Sequence, residues 1–204
     1  MSPDARARLY GFFSRIFTKE LDTEALELLC SPLGQELLPQ THACGELVAS
    51  GDASWIQATY NPDYVHLTVV NVVPYASFYL RDDAMVEGGS SNPVADFMKS
   101  FGFEVDLGAA RSLAPDHIGI ELEFMATLCL AQVEAEGRPD LAYAAKIEQV
   151  QRQFLGEYLL NWAPIYLFAV ERCAHTTLYK EAAQVGLDYI ASDYEALSSR
   201  DRDE

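Results

Sequence analysis

A short acidic cluster in the middle of the chain carries residue types that often do chemistry. Asp116 and His117 are adjacent, and Glu121 follows four residues after His117. On a helix, side chains four positions apart share one face, so this pair could hold a metal ion or move a proton. Two other interpretations stay open. Asp116 could stabilise a helix start through the helix dipole, worth about 0.3–1 kcal/mol, or the cluster could be a polar position that binds a ligand.

No other motif completes an active site around this cluster. His42, His66 and His175 are isolated, and no HExxH pair or second ExxH helix supplies further ligands. The four cysteines are too far apart for a CxxC motif, and nucleophile elbows, P-loops and GxGxxG runs are absent. The sequence therefore predicts a protein that is not an enzyme and has no bound metal or cofactor. It also predicts four buried, inert thiols.

An aromatic segment, residues 73–79, is the second candidate for chemistry. It combines a proline, a serine and three aromatic rings: Pro74, Tyr75, Ser77, Phe78 and Tyr79. A rigid proline, aromatic rings and a hydroxyl suit a surface that holds a peptide through stacking, apolar contact and hydrogen bonds. The alternative is that these rings belong to the core.

The charge of the chain is strongly acidic and unevenly distributed. Acidic residues number 31 against 14 basic ones, and the formal net charge of −17 repels nucleic-acid backbones and anionic lipid headgroups. Residues 20–80 include no lysine or arginine but eight carboxylates: Glu20, Asp22, Glu24, Glu27, Glu36, Glu46, Asp52 and Asp63. Unpaired carboxylates attract a cationic partner, and the alternative is a solvated acidic face that serves solubility. We expect no nucleic-acid partner.

The elements that must position these residues are predicted to be helices. A chain of 204 residues, 50% of them hydrophobic, is long enough for one domain with a sizeable core. Ser2, Pro3 and the apolar spacing of residues 9–17 predict a first helix that ends near Thr18. Pro115 is expected to open a central helix that is apolar on two faces, and Gly137 is expected to end it.

Later signals complete an all-α prediction. Asn161 is expected to cap a helix with Pro164 in its first turn, and a last helix is expected from about Lys180 to Leu197. Residues 64–73 are rich in Val and Thr, but no second strand exists to pair with them, so we expect a short helix followed by an extended loop.

The prediction is a single domain, residues 1–204, built as a bundle of about nine helices. Two lobes, residues 1–87 and 92–197, are expected on either side of the Gly/Ser-rich run at residues 88–91. No run is long and apolar enough to span a membrane, and the N-terminus does not have the pattern of a secretory signal. A cytoplasmic protein is therefore expected.

Four segments share their order and spacing with a known family. They are RLYGFFSRIF at residues 8–17, PYASFYL at residues 74–80, PDHIGIELEF at residues 115–124 and WAP at residues 162–164. In an acidic helical chain of this length, these segments resemble the TorD/DmsD/NarJ family of cytoplasmic chaperones for molybdenum oxidoreductases. The resemblance covers about residues 6–190.

The resemblance implies an all-helical chaperone with a role in anaerobic respiration. Its expected partner is the catalytic subunit of a molybdenum-containing oxidoreductase, bound through its twin-arginine signal peptide or N-terminal segment. The chaperone holds this segment until the molybdopterin-guanine-dinucleotide cofactor is inserted, and proteins of molybdenum-cofactor biosynthesis are expected as further partners. The alternatives are an enzyme built on the acidic cluster and an acidic helical adaptor with no role in cofactor maturation.

A signal of this type has a basic head and an apolar segment, which suits an acidic rim beside an aromatic groove. In this assignment the peptide-binding residues are Tyr64, Pro74, Tyr75, Ser77, Tyr79, Asp116, His117 and Glu121. Pro74, Tyr75 and Tyr79 would contact apolar side chains of the peptide. Ser77 and His117 would form hydrogen bonds with it. Asp116 and Glu121 would face its arginines.

Overall fold

The protein is an all-helical bundle in a computed structural model that describes residues 1–45, 47, 54, 56–86, 92–137 and 141–200. Its α-helices are α1 (Pro3–Thr18), α2 (Thr23–Cys30), α3 (Pro32–Leu37), α4 (Pro39–Ala43), α5 (Asn61–Val65), α6 (Ala76–Leu80), α7 (Pro93–Ser100), α8 (Leu107–Ala110), α9 (Ile118–Glu136), α10 (Leu141–Glu157), α11 (Ala163–Cys173) and α12 (Thr177–Arg200). Two π-helical segments, Ile56–Tyr60 and His66–Asn71, and a 3-10 turn, Leu159–Asn161, are also present. The all-α prediction is confirmed. The described ranges hold twelve α-helices rather than about nine because several consist of a single turn.

Helix α1 follows the predicted signals. The hydroxyl of Ser2 accepts a hydrogen bond from the amide of Ala5 (3.3 Å), and Pro3 lies in the first turn, where a missing N–H costs nothing. The apolar stripe of residues 9–17 is buried, and α1 packs along the central helix α9. This crossing requires Gly119 in α9, because a Cβ there would lie 2.8 Å from Cα of Thr18.

Helix α9 is the central helix, but it begins later than predicted. The prediction that Pro115 opens it is wrong, since the first helical residue is Ile118 and the N-cap is His117. The reason is tertiary: the residues just before the helix form an extended bridge with the aromatic segment, which holds Asp116 outside the helix. Helix α9 is buried on two faces, as predicted, and contacts α1 and α10.

Residues 61–73 confirm the expectation of a helix that runs into an extended loop. Helix α5 continues into the π-helical segment His66–Asn71, and the chain becomes extended at Val72. Val and Thr favour strands, but a strand also needs a partner for its hydrogen bonds. Along residues 64–71 the backbone satisfies these bonds within its own helical turns.

Asp63 determines where the last helix, α12, begins. Its carboxylate accepts hydrogen bonds from the backbone amides of His175 (3.0 Å) and Thr176 (2.8 Å). These amides would otherwise lack partners at the helix start. The helix therefore begins at Thr177, whereas the sequence predicts a start near Lys180.

Helix α11 also has a different cap from the predicted one. Asn161 does not cap it, because its side-chain amide donates to the carbonyl of Glu157 (2.6 Å) at the end of α10. Trp162 occupies the N-cap position instead, and Pro164 lies in the first turn as predicted.

A buried polar clamp links the first helix to the last. Arg6 Nε donates to Asp193 Oδ1 (2.6 Å), and Arg6 Nη1 donates to Gln151 Oε1 (2.6 Å). The hydroxyl of Tyr10 donates to Asp193 Oδ2 (2.7 Å). The clamp joins α1, α10 and α12 beside the main apolar core.

Several other sequence predictions have different outcomes. The Gly/Ser-rich run at residues 88–91 lies outside the described residues, so the division into two lobes stays a prediction. None of the described helices combines the length and apolar character that crossing a membrane would need.

The four cysteines are free, but the prediction that all are buried is wrong: Cys30 and Cys44 are exposed because they end short surface helices, and Cys173 is half-buried.

Candidate functional site

Backbone hydrogen bonds join the aromatic segment to the start of α9. The amide of Ala76 donates to the carbonyl of Asp116 (3.0 Å), and the amide of Ile118 donates to the carbonyl of Pro74 (2.9 Å). These bonds form the isolated bridge of the fold, between Tyr75 and His117. The two candidate regions of the sequence are therefore one structural unit.

Asp116 caps the short helix α6 from a distant part of the chain. Its Oδ2 accepts a hydrogen bond from the amide of Ser77 (2.7 Å), and the residue is only 1% exposed. The other oxygen, Oδ1, is buried and has no partner among the described residues. Stabilisation of the α9 start by Asp116 is therefore the wrong interpretation. The helix that it stabilises is α6.

His117 is a buried N-cap. Its Nδ1 accepts a hydrogen bond from the amide of Gly119 (3.1 Å), and its ring lies edge-on to Tyr75, with 5.1 Å between the ring centroids. Burial lowers the pKa of His117 to about 4, so the imidazole is neutral at pH 7. A neutral ring is required for this role, because Nδ1 can accept a hydrogen bond from the amide only when it carries no proton.

Glu121 is completely buried one turn into α9. Trp162 Nε1 donates to its Oε2 (3.3 Å), while Oε1 has no partner among the described residues. Burial raises the pKa of Glu121 well above its ordinary value; the hydrogen bond from Trp162 opposes the shift, and the charge of Asp116 adds to it. The neutral, protonated form of Glu121 is thereby favoured.

The tyrosines of the predicted site differ in exposure. The hydroxyl of Tyr75 accepts from the amide of Leu113 (3.0 Å), and the hydroxyl of Tyr64 donates to a backbone carbonyl of α1 (3.3 Å). Both rings are buried. Tyr79 is half-buried and stacks on Trp162, with 5.6 Å between the ring centroids. Tyr64 and Tyr75 therefore pack as core residues, whereas Tyr79 reaches the surface.

A metal centre at this position would need a third ligand. In the described ranges, no group of three or more His, Cys, Asp or Glu side chains could hold a metal ion. His117 uses Nδ1 as a helix cap, and Glu121 accepts from Trp162. Asp116, His117 and Glu121 instead form buried hydrogen bonds that hold the aromatic segment in place.

The carboxylates of residues 20–80 are partly paired, contrary to the prediction. Asp22 contacts Arg15 (2.8 Å), Glu20 contacts Arg111 (3.2 Å), and Asp63 caps α12. Arg111 is distant in sequence, and Arg15 lies just before the interval that lacks basic residues. The remaining carboxylates are exposed (Glu24, Glu27 and Glu36) or lie outside the described residues (Glu46 and Asp52).

An exposed apolar face lies on α11. Ile165 and Phe168 are each 59% exposed. The π-helical segment His66–Asn71 packs against α11 and exposes Val69 and Val70. We call these four side chains the apolar face. Sequence periodicity does not reveal it, because residues 162–170 are apolar at almost every position and inward and outward sides look alike.

Comparisons with known proteins agree with the resemblance. A family model described as nitrate reductase delta subunit matches residues 20–167. Several curated relatives are named Chaperone protein TorD, and three of them serve as examples. The one from Psychrobacter sp. (strain PRwf-1) is 26% identical and covers 95% of this chain and 91% of its own. Those from Vibrio cholerae serotype O1 (strain M66-2) and Shewanella pealeana are 25% identical over 95% of this chain and 92% and 90% of their own. No solved structure gives a significant match.

These matches extend over most of the chain. At the level of the family, they support a maturation chaperone for molybdoenzymes, and the relatives are named as chaperones and not as enzymes. The chain belongs to the nitrate reductase delta subunit family, which contains the TorD and NarJ chaperones.

Proposed function

We propose that the protein binds the twin-arginine signal peptide or N-terminal segment of a molybdenum oxidoreductase in the cytoplasm. It holds this segment until the cofactor has been inserted, and proteins of cofactor biosynthesis meet the complex at that stage. The observation that carries the proposal is the apolar face, formed by α11 and the segment His66–Asn71, in a protein with a net charge of −17. The named TorD relatives support the chaperone role.

The chemistry of the apolar face matches this partner. Val69 and Val70 are 76% and 70% exposed, and α11 adds two large side chains. A patch of exposed apolar side chains marks a binding surface more often than single exposed apolar residues do. The apolar stretch of a signal segment would cover them, and the net negative charge of the protein would attract its basic head.

The buried members of the predicted site support this surface indirectly. Asp116 fixes the amide of Ser77, and Glu121 accepts from the indole of Trp162. Trp162 in turn stacks on Tyr79, which reaches the surface next to α11. Of these residues, Tyr79 is the one that would contact the peptide directly.

The test is calorimetric titration with a synthetic peptide that has two arginines followed by about twelve apolar residues. We expect saturable binding that weakens between 50 and 500 mM salt, because the acidic field is screened over about 8–10 Å at 0.1–0.15 M. A peptide with the apolar stretch replaced by Gly and Ser should lose most of the affinity. Equal affinity for both peptides would contradict the proposal.

A helical adaptor with no role in cofactor maturation is distinguished in cells. Deletion of the gene should leave the client oxidoreductase synthesised but depleted of molybdenum cofactor, since the unprotected enzyme would be exported or folded too early. Cofactor content per purified client measures this effect. A client with full cofactor content in the deletion strain would favour the adaptor.

A further inference from the structure

The outward row of side chains on α11 lies between groups of opposite charge. Ile165, Phe168 and Arg172 are exposed at spacings of three and four residues, which places them in a row on one side of the helix. Asn161, four residues before Ile165, is also exposed, and its amide donates to the carbonyl of Glu157 (2.6 Å). Glu157 is exposed at the end of α10. The α11 part of the apolar face therefore has a carboxylate beyond one end and a guanidinium at the other.

Arg172 is an exposed cation that forms no ion pair with the described residues. Its neighbour Glu171 is engaged elsewhere, because Glu171 Oε1 accepts from Gln184 Nε2 of α12 (2.7 Å). The chain has 31 acidic residues against 14 basic ones, and Arg15 and Arg111 each pair with a carboxylate. The guanidinium of Arg172 is therefore available to a carboxylate of a bound partner.

The length of the row limits how the client segment can lie on it. Arg172 follows Asn161 by eleven positions, about 16 Å at the helical rise of 1.5 Å per residue. An apolar stretch of about twelve residues is about 18 Å long as a helix and about 40 Å long when extended. The helical form is therefore the one that matches the row from end to end.

The charges at the two ends favour one direction of a bound helix. When the client helix runs in the same direction as α11, its last carbonyl groups, which carry a partial negative charge, lie beside Arg172. The reverse direction would place the basic head of the segment against Arg172 and the carbonyl end near Glu157. Like charges in contact weaken binding, so the first direction is favoured.

We propose that the client segment binds along α11 as a helix that runs in the same direction, and that Arg172 selects clients with an acidic residue directly after the apolar stretch. This inference rests on the proposed function and deepens it, because it names the direction of the client and a specificity-determining residue. The acidic side chain pairs with the guanidinium of Arg172, and the apolar stretch covers Ile165 and Phe168. The basic head lies towards the end of α10.

Calorimetric titration at 150 mM salt tests the selection with two peptides. Both have two arginines and about twelve apolar residues, followed in one by aspartate and in the other by lysine. The net charge of −17 alone favours the peptide with lysine, so a preference for aspartate reports a cation in direct contact. We expect the peptide with aspartate to bind about two- to fivefold more tightly. Equal affinities, or tighter binding of the peptide with lysine, would overturn the proposal.

Variants assign the preference to Arg172. Arg172→Gln should remove it, and Arg172→Glu should reverse it. Lys146→Gln is the matched control, because Lys146 is exposed on α10 and is not part of the apolar face, so this variant loses the same charge and should keep the preference. All three positions of change are exposed, and the melting temperatures should equal that of the wild type. An unchanged preference in Arg172→Glu would refute the role of Arg172.

Photocrosslinking tests the direction independently. A benzoylphenylalanine placed directly after the apolar stretch should label the chain around Arg172, and one placed beside the arginines should label it around Glu157. The opposite labelling pattern would overturn the proposed direction. Peptide binding without any preference for aspartate would overturn the selection and leave the proposed function intact, whereas no peptide binding at any salt concentration would contradict both.

Discussion

Asp116 organises two elements through one side chain and one carbonyl. The carboxylate holds the amide of Ser77 at the start of α6, and the carbonyl accepts from the amide of Ala76. Both bonds lie where the aromatic segment meets the central helix. The residue thus shapes the surface that we assign to the client while being itself almost inaccessible.

Removing the Asp116 carboxylate should destabilise the fold. Asp116→Ala is expected to lower the free energy of unfolding by about 1–3 kcal/mol, because the amide of Ser77 loses its acceptor in a buried place. Asp116→Asn keeps an oxygen acceptor and should cost less. Denaturant unfolding at pH 7 measures both. Asp96→Ala is the control, because Asp96 is an exposed first-turn carboxylate of α7, and a loss as large as that of Asp116→Ala would refute the capping role.

The pH dependence of stability should carry the signature of Glu121. The folded chain holds a proton on this residue that the unfolded chain releases above about pH 4.5, so rising pH favours unfolding. Glu121→Gln removes this effect. Its stability relative to the wild type should therefore increase as pH rises above about 5, by at most about 1.4 kcal/mol per unit. Parallel stability curves for the two proteins would show that Glu121 is ionised when buried.

The sequence identifies the unusual residues but not their contacts. Asp116, His117 and Glu121 stand out by type and spacing, yet their partners Ser77, Tyr75 and Trp162 come from other segments. No local pattern encodes such tertiary contacts. The pairing of Asp22 with Arg15 and of Glu20 with Arg111 was missed for the same reason.

At the scale of elements, the contact between α1 and α9 supports the whole site. The hydroxyl of Ser14 donates to the carbonyl of Gly119 (2.8 Å), and the glycine lets the two backbones approach closely. The position lies two residues after the cap His117, so any shift of α1 would also move the start of α9.

Gly119→Ala should therefore be costly although alanine favours helices. The new Cβ would lie 2.8 Å from Cα of Thr18, and relief requires a backbone movement that we expect to cost about 1–3 kcal/mol. Gly11→Ala in α1 is the control, since no atom lies within 4 Å of its added Cβ. It should stabilise the protein by about 0.5–1 kcal/mol. Thermal unfolding measures the stability of both variants. If Gly119→Ala were as stable as the wild type, the close approach of α1 and α9 would be contradicted.

Helix starts show where local signals suffice and where they do not. Ser2 and Pro3 predict α1 correctly because its cap is made by its own first turn. The start of α9 was predicted too early because the bridge to the aromatic segment prevails over the helix preference of Pro115. The start of α12 depends on Asp63 from α5, more than a hundred residues earlier in the chain.

At the scale of the whole molecule, the clamp of Arg6 connects the ends of the chain. Arg6→Ala would leave Asp193 buried without its charged partner, which we expect to cost about 3–5 kcal/mol. Arg8→Ala is the matched control, because Arg8 pairs with Asp4 on the surface and should change stability by about 0.5 kcal/mol or less. Denaturant unfolding measures the free energy of unfolding of both variants. If Arg6→Ala lost as little stability as Arg8→Ala, the clamp would not stabilise the bundle.

The charge and the all-helical fold of the molecule were accessible from the sequence, because both depend on composition and periodicity. The apolar face was not, because it depends on how α11 is turned relative to the segment His66–Asn71. The net charge of the chain is −17, so the molecule combines an exposed apolar surface with a strongly negative charge. A basic, apolar client segment is the partner that matches both properties.

The affinity of Phe168→Ser for the two-arginine peptide is the most direct test of this assignment. Phe168 lies on the apolar face, so the variant should bind about tenfold or more weakly, equivalent to about 1.4 kcal/mol or more. Leu130→Ser is the matched control, because Leu130 is 51% exposed on α9 and is not part of the apolar face, so this variant should bind within about twofold of the wild type. If both folded variants bind the peptide as tightly as the wild type, the client segment does not bind on the apolar face.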